Sequence, residues 1–330
     1  MSEFLSSYGL FLAQLITLAV VLLAVVGLIV GMSRRGARAD GLEVRHLNRQ
    51  LEEQADVLQR AVQGKERFKK VLKARSKKRK KERKKERGGS DKADRARVFV
   101  LDFKGDLRAT ATSSLRHEVS AVLGVATEKD QVLVRLENAG GTVHEHGLAA
   151  SQLLRIRRRG IPLWVAVDKV AASGGYLMAC VADKIIAAPF AIIGSIGVLA
   201  QLPNFHRLLE NKGIDFEQIS AGRYKRTLTM FGKNTEEGRE KLKEELVEVH
   251  ELFKRQITEH RPQVDVDNVA TGEHWYGAKA LELKLVDEIA SSDDWLLEAA
   301  KDRELYQVTY KRRRHLPERL MSGAESLLSR

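Results

Sequence analysis

A chain of 330 residues, 43% of them hydrophobic, with a formal net charge of +13 can bury a substantial core, and suits one domain of ordinary size with accessory segments. The composition excludes collagen-like and disordered classes, and the single cysteine, Cys180, rules out a disulfide framework. The charge is uneven: from Lys65 to Arg87 there are 15 Lys or Arg against Glu66, Glu82 and Glu86, so this run carries +12 and the rest is nearly neutral.

An N-terminal flank, residues 1–8, has no Lys or Arg. Residues 9–32, GLFLAQLITLAVVLLAVVGLIVGM, hold no charge over 24 positions. As a helix they would span about 36 Å, against about 30 Å for a hydrocarbon core. The stretch predicts a transmembrane helix, because a cleaved signal peptide would carry a basic flank before a shorter apolar run. Arg34, Arg35 and Arg38 follow directly, and the positive-inside bias puts everything after Met32 in the cytoplasm.

Residues 33–96 read as a juxtamembrane linker, helical and then strongly basic. Leu47, Leu51, Ala55, Leu58 and Val62 form a helical stripe suited to a short coiled coil or a packed neighbour. The basic run and the GGSDKADR after it have the composition of a solvated spacer that touches anionic lipid. With no aromatic beyond Phe68 it lacks a base-reading element, so no nucleic-acid partner is expected.

The folded domain is expected over 97–290. RVFVLDF (97–103) and QVLVRLE (131–137) are buried-type strands, with a helix over 113–126 between them. A second helix is predicted over His144–Arg159 and a third strand over 161–169. This alternation predicts an α/β layered domain with mainly parallel strands. Residues 184–200 are apolar, but Pro189, Gly194 and Gly197 interrupt them, so they read as buried strands and a tight turn, not a second span. Asn234 with Glu237 forms a capping box opening a helix to about His260. Gly272, Trp275 and Gly277 fix a turn, LVDEI returns a strand to the sheet, and 291–330 reads as a helical and basic tail.

The sharpest local feature is VAASGGYLMAC, residues 170–180, where a strand gives way to a helix at Ser173. A serine there, followed by Gly174 and Gly175, has room for a bound carbonyl and a backbone N–H at Gly174 to face a developing oxyanion. A second donor would come from the glycine turn Gly140–Gly141. The same pattern also describes an ordinary serine N-cap. No histidine makes a convincing base: His144 and His146 flank Glu145 without zinc-enzyme spacing and read as surface or structural residues. A lysine kept neutral by burial is the other activator, and composition does not select one.

The stretches DKVAASGGYLMACVADKIIAAP (168–189), GSIGV (194–198), SAGRYKRTLTMFGKNTEEGREKL (220–242) and TGEHWYGAKALELKLVDEI (271–289) together resemble the signal peptide peptidase A family of membrane serine proteases. Their order, with the N-terminal anchor, is similar to its SohB branch. The resemblance implies a Clp protease/crotonase-like fold of repeated βαβ units that self-associates into a homo-oligomer. It also implies an endopeptidase of the bacterial inner membrane acting on peptide or protein substrates, without metal or cofactor.

By the same resemblance Ser173 is the nucleophile and Lys225, in GRYK, the general base, while Gly174 with Gly140 and Gly141 forms the oxyanion hole. Gly194, Ser195 and Ile196 line the substrate groove. The chain departs from the family at Ala139, where a proline is expected. To take the serine proton a lysine must be neutral near pH 7 against an ordinary value of about 10.4, which burial without an acid partner achieves. The family is associated with the periplasmic face and the charge bias with the cytoplasm, so the side of the membrane stays open. Two other readings stand beside the peptidase: a crotonase-like acyl-CoA enzyme, which would want an acidic group in place of the lysine, and a catalytically silent membrane scaffold.

Overall fold

The computed structural model describes residues 9, 11–23, 41–64, 73, 77 and 95–312. Most of the basic run, the GGSDKADR spacer, positions 24–32 of the expected span and the tail beyond 312 lie outside the described residues. The chain divides into two compact units, Met1–Leu42 with Tyr310–Arg330, and Glu43–Thr309. In the first, residues 11–23 are helical with exposed apolar side chains such as Leu18 and Leu23. Among the described residues no helix is long and apolar enough to cross a membrane.

The second unit is a mixed α/β fold. Its main sheet has seven strands, in the order β1 (Gly41–His46), β10 (Glu304–Lys311), β2 (Arg97–Lys104), β3 (Gln131–Glu137), β4 (Leu163–Val167), β6 (Lys184–Ala187) and β9 (Glu288–Ile289). From β10 to β9 every pairing is parallel. Strands β2, β3 and β4 are almost continuously apolar because both faces of the sheet are covered. One face carries α2 (Thr112–Leu123), α3 (Val143–Arg157) and α4 (Gly174–Ala179), whose Leu115, Val119, Leu153, Ile156 and Met178 close over Leu101, Val134 and Val165. The other face, including Val98, Val100, Leu133 and Ile186, is covered by Leu296 and Ala299 of α9 (Ser292–Ala299) and by Leu47, which opens α1 (Leu47–Gln63).

A second sheet of β5 (Val170–Ala172), β7 (Ile192–Gly194) and β8 (His274–Tyr276) has β5 and β7 parallel and β8 antiparallel to β7. It lies beyond the carboxyl end of β3, since Asn138 forms a parallel bridge with Ala171. The strand expected over 161–169 thus becomes two strands in two sheets. The break is at Asp168, whose carboxylate accepts from the Ser292 backbone N–H (2.7 Å) and hydroxyl (2.6 Å) and turns the chain out of the main sheet.

Two other expectations are corrected. Within the segment expected as a tail, the described residues join the fold: α9 packs on the sheet and β10 pairs with β2 in register from Glu304 opposite Arg97 to Gln307 opposite Val100. The long helix α6 (Glu236–His260), which follows the short α5 (His206–Asn211), is capped by Thr235, whose hydroxyl accepts from Gly238 N at 3.1 Å. Asn234 instead ties its own loop, accepting from Thr229 N and donating to Thr229 O. Two short helices, α7 (Val266–Val269) and α8 (Gly277–Glu282), complete the fold.

Candidate active site

The turns that follow β3 and β5 meet at the carboxyl ends of the parallel strands, the usual position of sites in such sheets. Ser173 follows β5 and opens α4 with φ 51° and ψ −120°, a conformation that costs a non-glycine residue on the order of 1–3 kcal/mol. Its neighbours hold it there: Ser173 N donates to Gly194 O (2.8 Å) and Ser173 O accepts from Leu177 N (2.9 Å). A strained serine at a strand-to-helix turn presents its hydroxyl outward, and Ser173 remains half-buried.

The glycines around it are required by space. A Cβ on Gly174 would lie 2.4 Å from His146 Cγ, and one on Gly175 would lie 2.1 Å from Asn138 O. Gly140 (φ 93°) faces Ser173 directly, and a Cβ on Gly141 would lie 2.1 Å from Leu107 O. Of the three expected oxyanion donors, Gly140 is corrected: its N–H is spent on Asn138 Oδ1 at 2.9 Å. The N–H groups of Gly141 and Gly174 meet no acceptor among the described residues.

A cavity of about 270 Å³ adjoins Ser173, Gly174 and Gly141. Its walls are Gly147, Ala150 and Leu154 of α3 and Val249, Leu252 and Phe253 of α6, with Gly197 and Val198 at one side. The groove-lining expectation is therefore moved along its loop. Ile196 is fully buried and Gly194 is buried against the Trp275 ring and the Ser173 N–H, so neither faces the cavity. Ser195 is half-buried, has φ 51° like Ser173, and donates its N–H to Glu273 O at 2.6 Å.

Among the described residues Lys225 makes no hydrogen bond to Ser173. It is exposed, its N–H donates to Gly222 O at 3.1 Å, and it is not among the residues lining the cavity. The neighbouring Arg223 is engaged by Glu237 at 2.7 Å, so it is not a free cation beside the lysine. The segment from 199 to 231 that carries Lys225 holds Phe231 in ring contact with both Phe205 and Phe216, yet exposes Leu199, Leu208 and Ile219, the last at 97%.

Two residues near the site were given no part in it by the sequence reading. His146, expected at the surface or in a structural place, is fully buried beneath Gly174, whereas His144 is exposed. Asn138 is buried between the two turns. The alternation of small and polar residues at 138–147 gives no periodic signal that would have marked either one.

The comparisons with known proteins identify a family. Residues 3–153 match the model described as Peptidase family S49 N-terminal, and residues 155–306 match Peptidase family S49. A protein named "Probable protease SohB" from Haemophilus influenzae is 48% identical over 98% of this chain and 94% of its own length. Another of that name from Buchnera aphidicola is 54% identical over 72% of this chain and 71% of its own. Among solved structures, the 1510-N membrane-bound stomatin-specific protease, as a lysine-to-alanine mutant in complex with a substrate peptide, aligns at 13% identity and a TM-score of 0.45, over 70% of this chain and 98% of that one. Matched over residues 3–153 and 155–306 by the family's two models, and over 98% of its length by a relative 48% identical to it, the chain belongs to peptidase family S49.

Proposed function

We propose that this peptidase is a membrane-anchored serine endopeptidase working through Ser173 and Lys225. The observation that carries the reading is the strained Ser173 turn facing two unspent N–H groups beside an apolar cavity. In the proposed reaction Lys225 Nζ takes the Ser173 Oγ proton as Oγ attacks a peptide carbonyl carbon. The Gly174 and Gly141 N–H groups receive the oxyanion. Collapse expels the amine, which takes the proton back from Lys225, and water then releases the acyl group from Ser173. The lining of Gly147, Ala150, Leu154, Val249 and Leu252 suits an aliphatic substrate side chain.

The exposed apolar residues of the 199–231 arm support a homo-oligomer in which that arm seats against a neighbouring copy and Lys225 reaches a Ser173. The repeated βαβ order supports the Clp protease/crotonase-like fold. The uncharged residues 9–32 support single-pass anchoring in a bacterial inner membrane, with lipid as a partner. The acyl-CoA reading finds less support, since no Asp or Glu lines the cavity among the described residues.

The test is peptide hydrolysis by the purified full chain and its variants. Ser173→Ala and Lys225→Ala are each expected to abolish cleavage with the fold intact, and retained cleavage by either pure variant overturns the dyad. Mixing the two inactive variants then reads whether the lysine comes from the same copy or a neighbour.

A further inference from the structure

The two turns at the site are joined from behind by a buried pair that the reaction itself does not use. Asn138 directly follows β3 with its backbone fixed on β5: its N–H donates to Val170 O (2.9 Å) and its carbonyl accepts from Ala172 N (3.0 Å). Its side chain is pressed against Gly105, where a Cβ would fall 2.5 Å from Asn138 Cγ. From that fixed base Oδ1 accepts the Gly140 N–H at 2.9 Å, and Nδ2 faces Met178 Sδ at 3.4 Å.

His146 holds the other turn. Its Nδ1 donates to Thr142 O at 2.9 Å, which fixes the ring on the first turn of α3, and the side chain packs against Gly174. Its Nε2 stands 3.3 Å from the same Asn138 Oδ1. Asn138 Oδ1 thus holds the turn bearing Gly140–Gly141 by a hydrogen bond and stands against the side chain that supports Gly174. Asn138 is 1% exposed and His146 0%, so neither reaches a substrate in the cavity.

We propose that Asn138 and His146 are positioning residues that set the separation and direction of the Gly141 and Gly174 N–H groups. The inference rests on the oxyanion role proposed above. Ala139 leaves the backbone of this turn free where a proline would restrict it, and the side-chain bond from Asn138 Oδ1 to Gly140 supplies the missing restraint. Its contribution should appear where charge develops on the carbonyl oxygen, and not in binding of the uncharged ground state.

The test compares the full chain with Asn138→Leu, which keeps the side-chain size and loses Oδ1, and His146→Phe, which keeps a ring and loses both nitrogens. Each is expected to lower kcat for peptide hydrolysis on the order of 10- to 100-fold, with KM held within about twofold. A peptide aldehyde, which forms a tetrahedral adduct on the serine, should lose affinity by a similar factor, while the same peptide ending in an amide should bind unchanged. Equal loss for aldehyde and amide, or wild-type kcat in both variants, would overturn the proposal. A wild-type chain that neither cleaves peptides nor captures the aldehyde would instead overturn the serine-peptidase reading, which keeps the two failures apart.

Discussion

Gly140 stands where any side chain would collide with Ser173: a Cβ on it would lie 2.7 Å from the serine Cβ and 2.9 Å from Gly174 N. With φ at 93°, the position is also strained for any other residue. Gly140→Ala must therefore push the two turns apart. The expected result is a loss of peptide hydrolysis of about 100-fold or more, the size of losing one oxyanion donor, with far-UV circular dichroism of the wild-type form.

The cavity can be narrowed without disturbing the fold. Gly147 lies within α3, lines the cavity, and has open space where a Cβ would be. Gly147→Leu should fill part of the about 270 Å³ and gain about 0.5–1 kcal/mol of helix stability. Peptides with a leucine at the cleaved position should lose kcat/KM by about 10-fold or more, while those with alanine should change little; the comparison of the two series, beside a thermal melt, checks it.

Ile219 is 97% exposed on the arm that carries Lys225. Ile219→Asp should leave the melting temperature of the folded unit within about a degree or two, because surface changes of this kind have small effects. If the arm seats on a neighbouring copy, the same substitution lowers both the assembled mass in light scattering and the hydrolysis rate.

Asp130 locks the entry to β3 against β2. Burial alone would raise its carboxyl, but hydrogen bonds from the Arg97 guanidinium and N–H and from Thr127 more than offset this and hold it at about 2. Because the folded value is depressed, the stabilisation is complete above the ordinary carboxylate range and is lost as pH falls toward 2. Asp130→Asn should cost about 2 kcal/mol at neutral pH, and urea unfolding of both proteins at a series of pH values should show that gap closing only in acid.

The strands β2, β3 and β4 and the helix after Ser173 are legible in the sequence because each is a local pattern: apolar runs bounded by turn residues. So is the approach of Ser173 and Gly174, which are neighbours in the chain. What the sequence hides depends on distant partners. Residues 304–307 look like part of a helical and basic tail until they pair with 97–100, some two hundred positions away. The spending of the Gly140 N–H on Asn138 and the burial of His146 under Gly174 likewise appear only once the turns after β3 and β5 are side by side. Ile196 reads as a groove residue by motif, yet the packing of β7 turns it into the core. Lys225, marked by its motif, is exposed in the single chain, and the exposed apolar arm around it is the physical reason to look to assembly.

The most direct measurement is covalent labelling of the purified full chain with a fluorophosphonate probe, followed by mass mapping of the modified peptide. A label on the peptide containing Ser173, absent in Ser173→Ala and greatly slowed in Lys225→Ala, is the predicted result. Peptide cleavage that persists while Ser173 stays unlabelled, or a label carried by another residue, would contradict the central claim that this hydroxyl is the nucleophile.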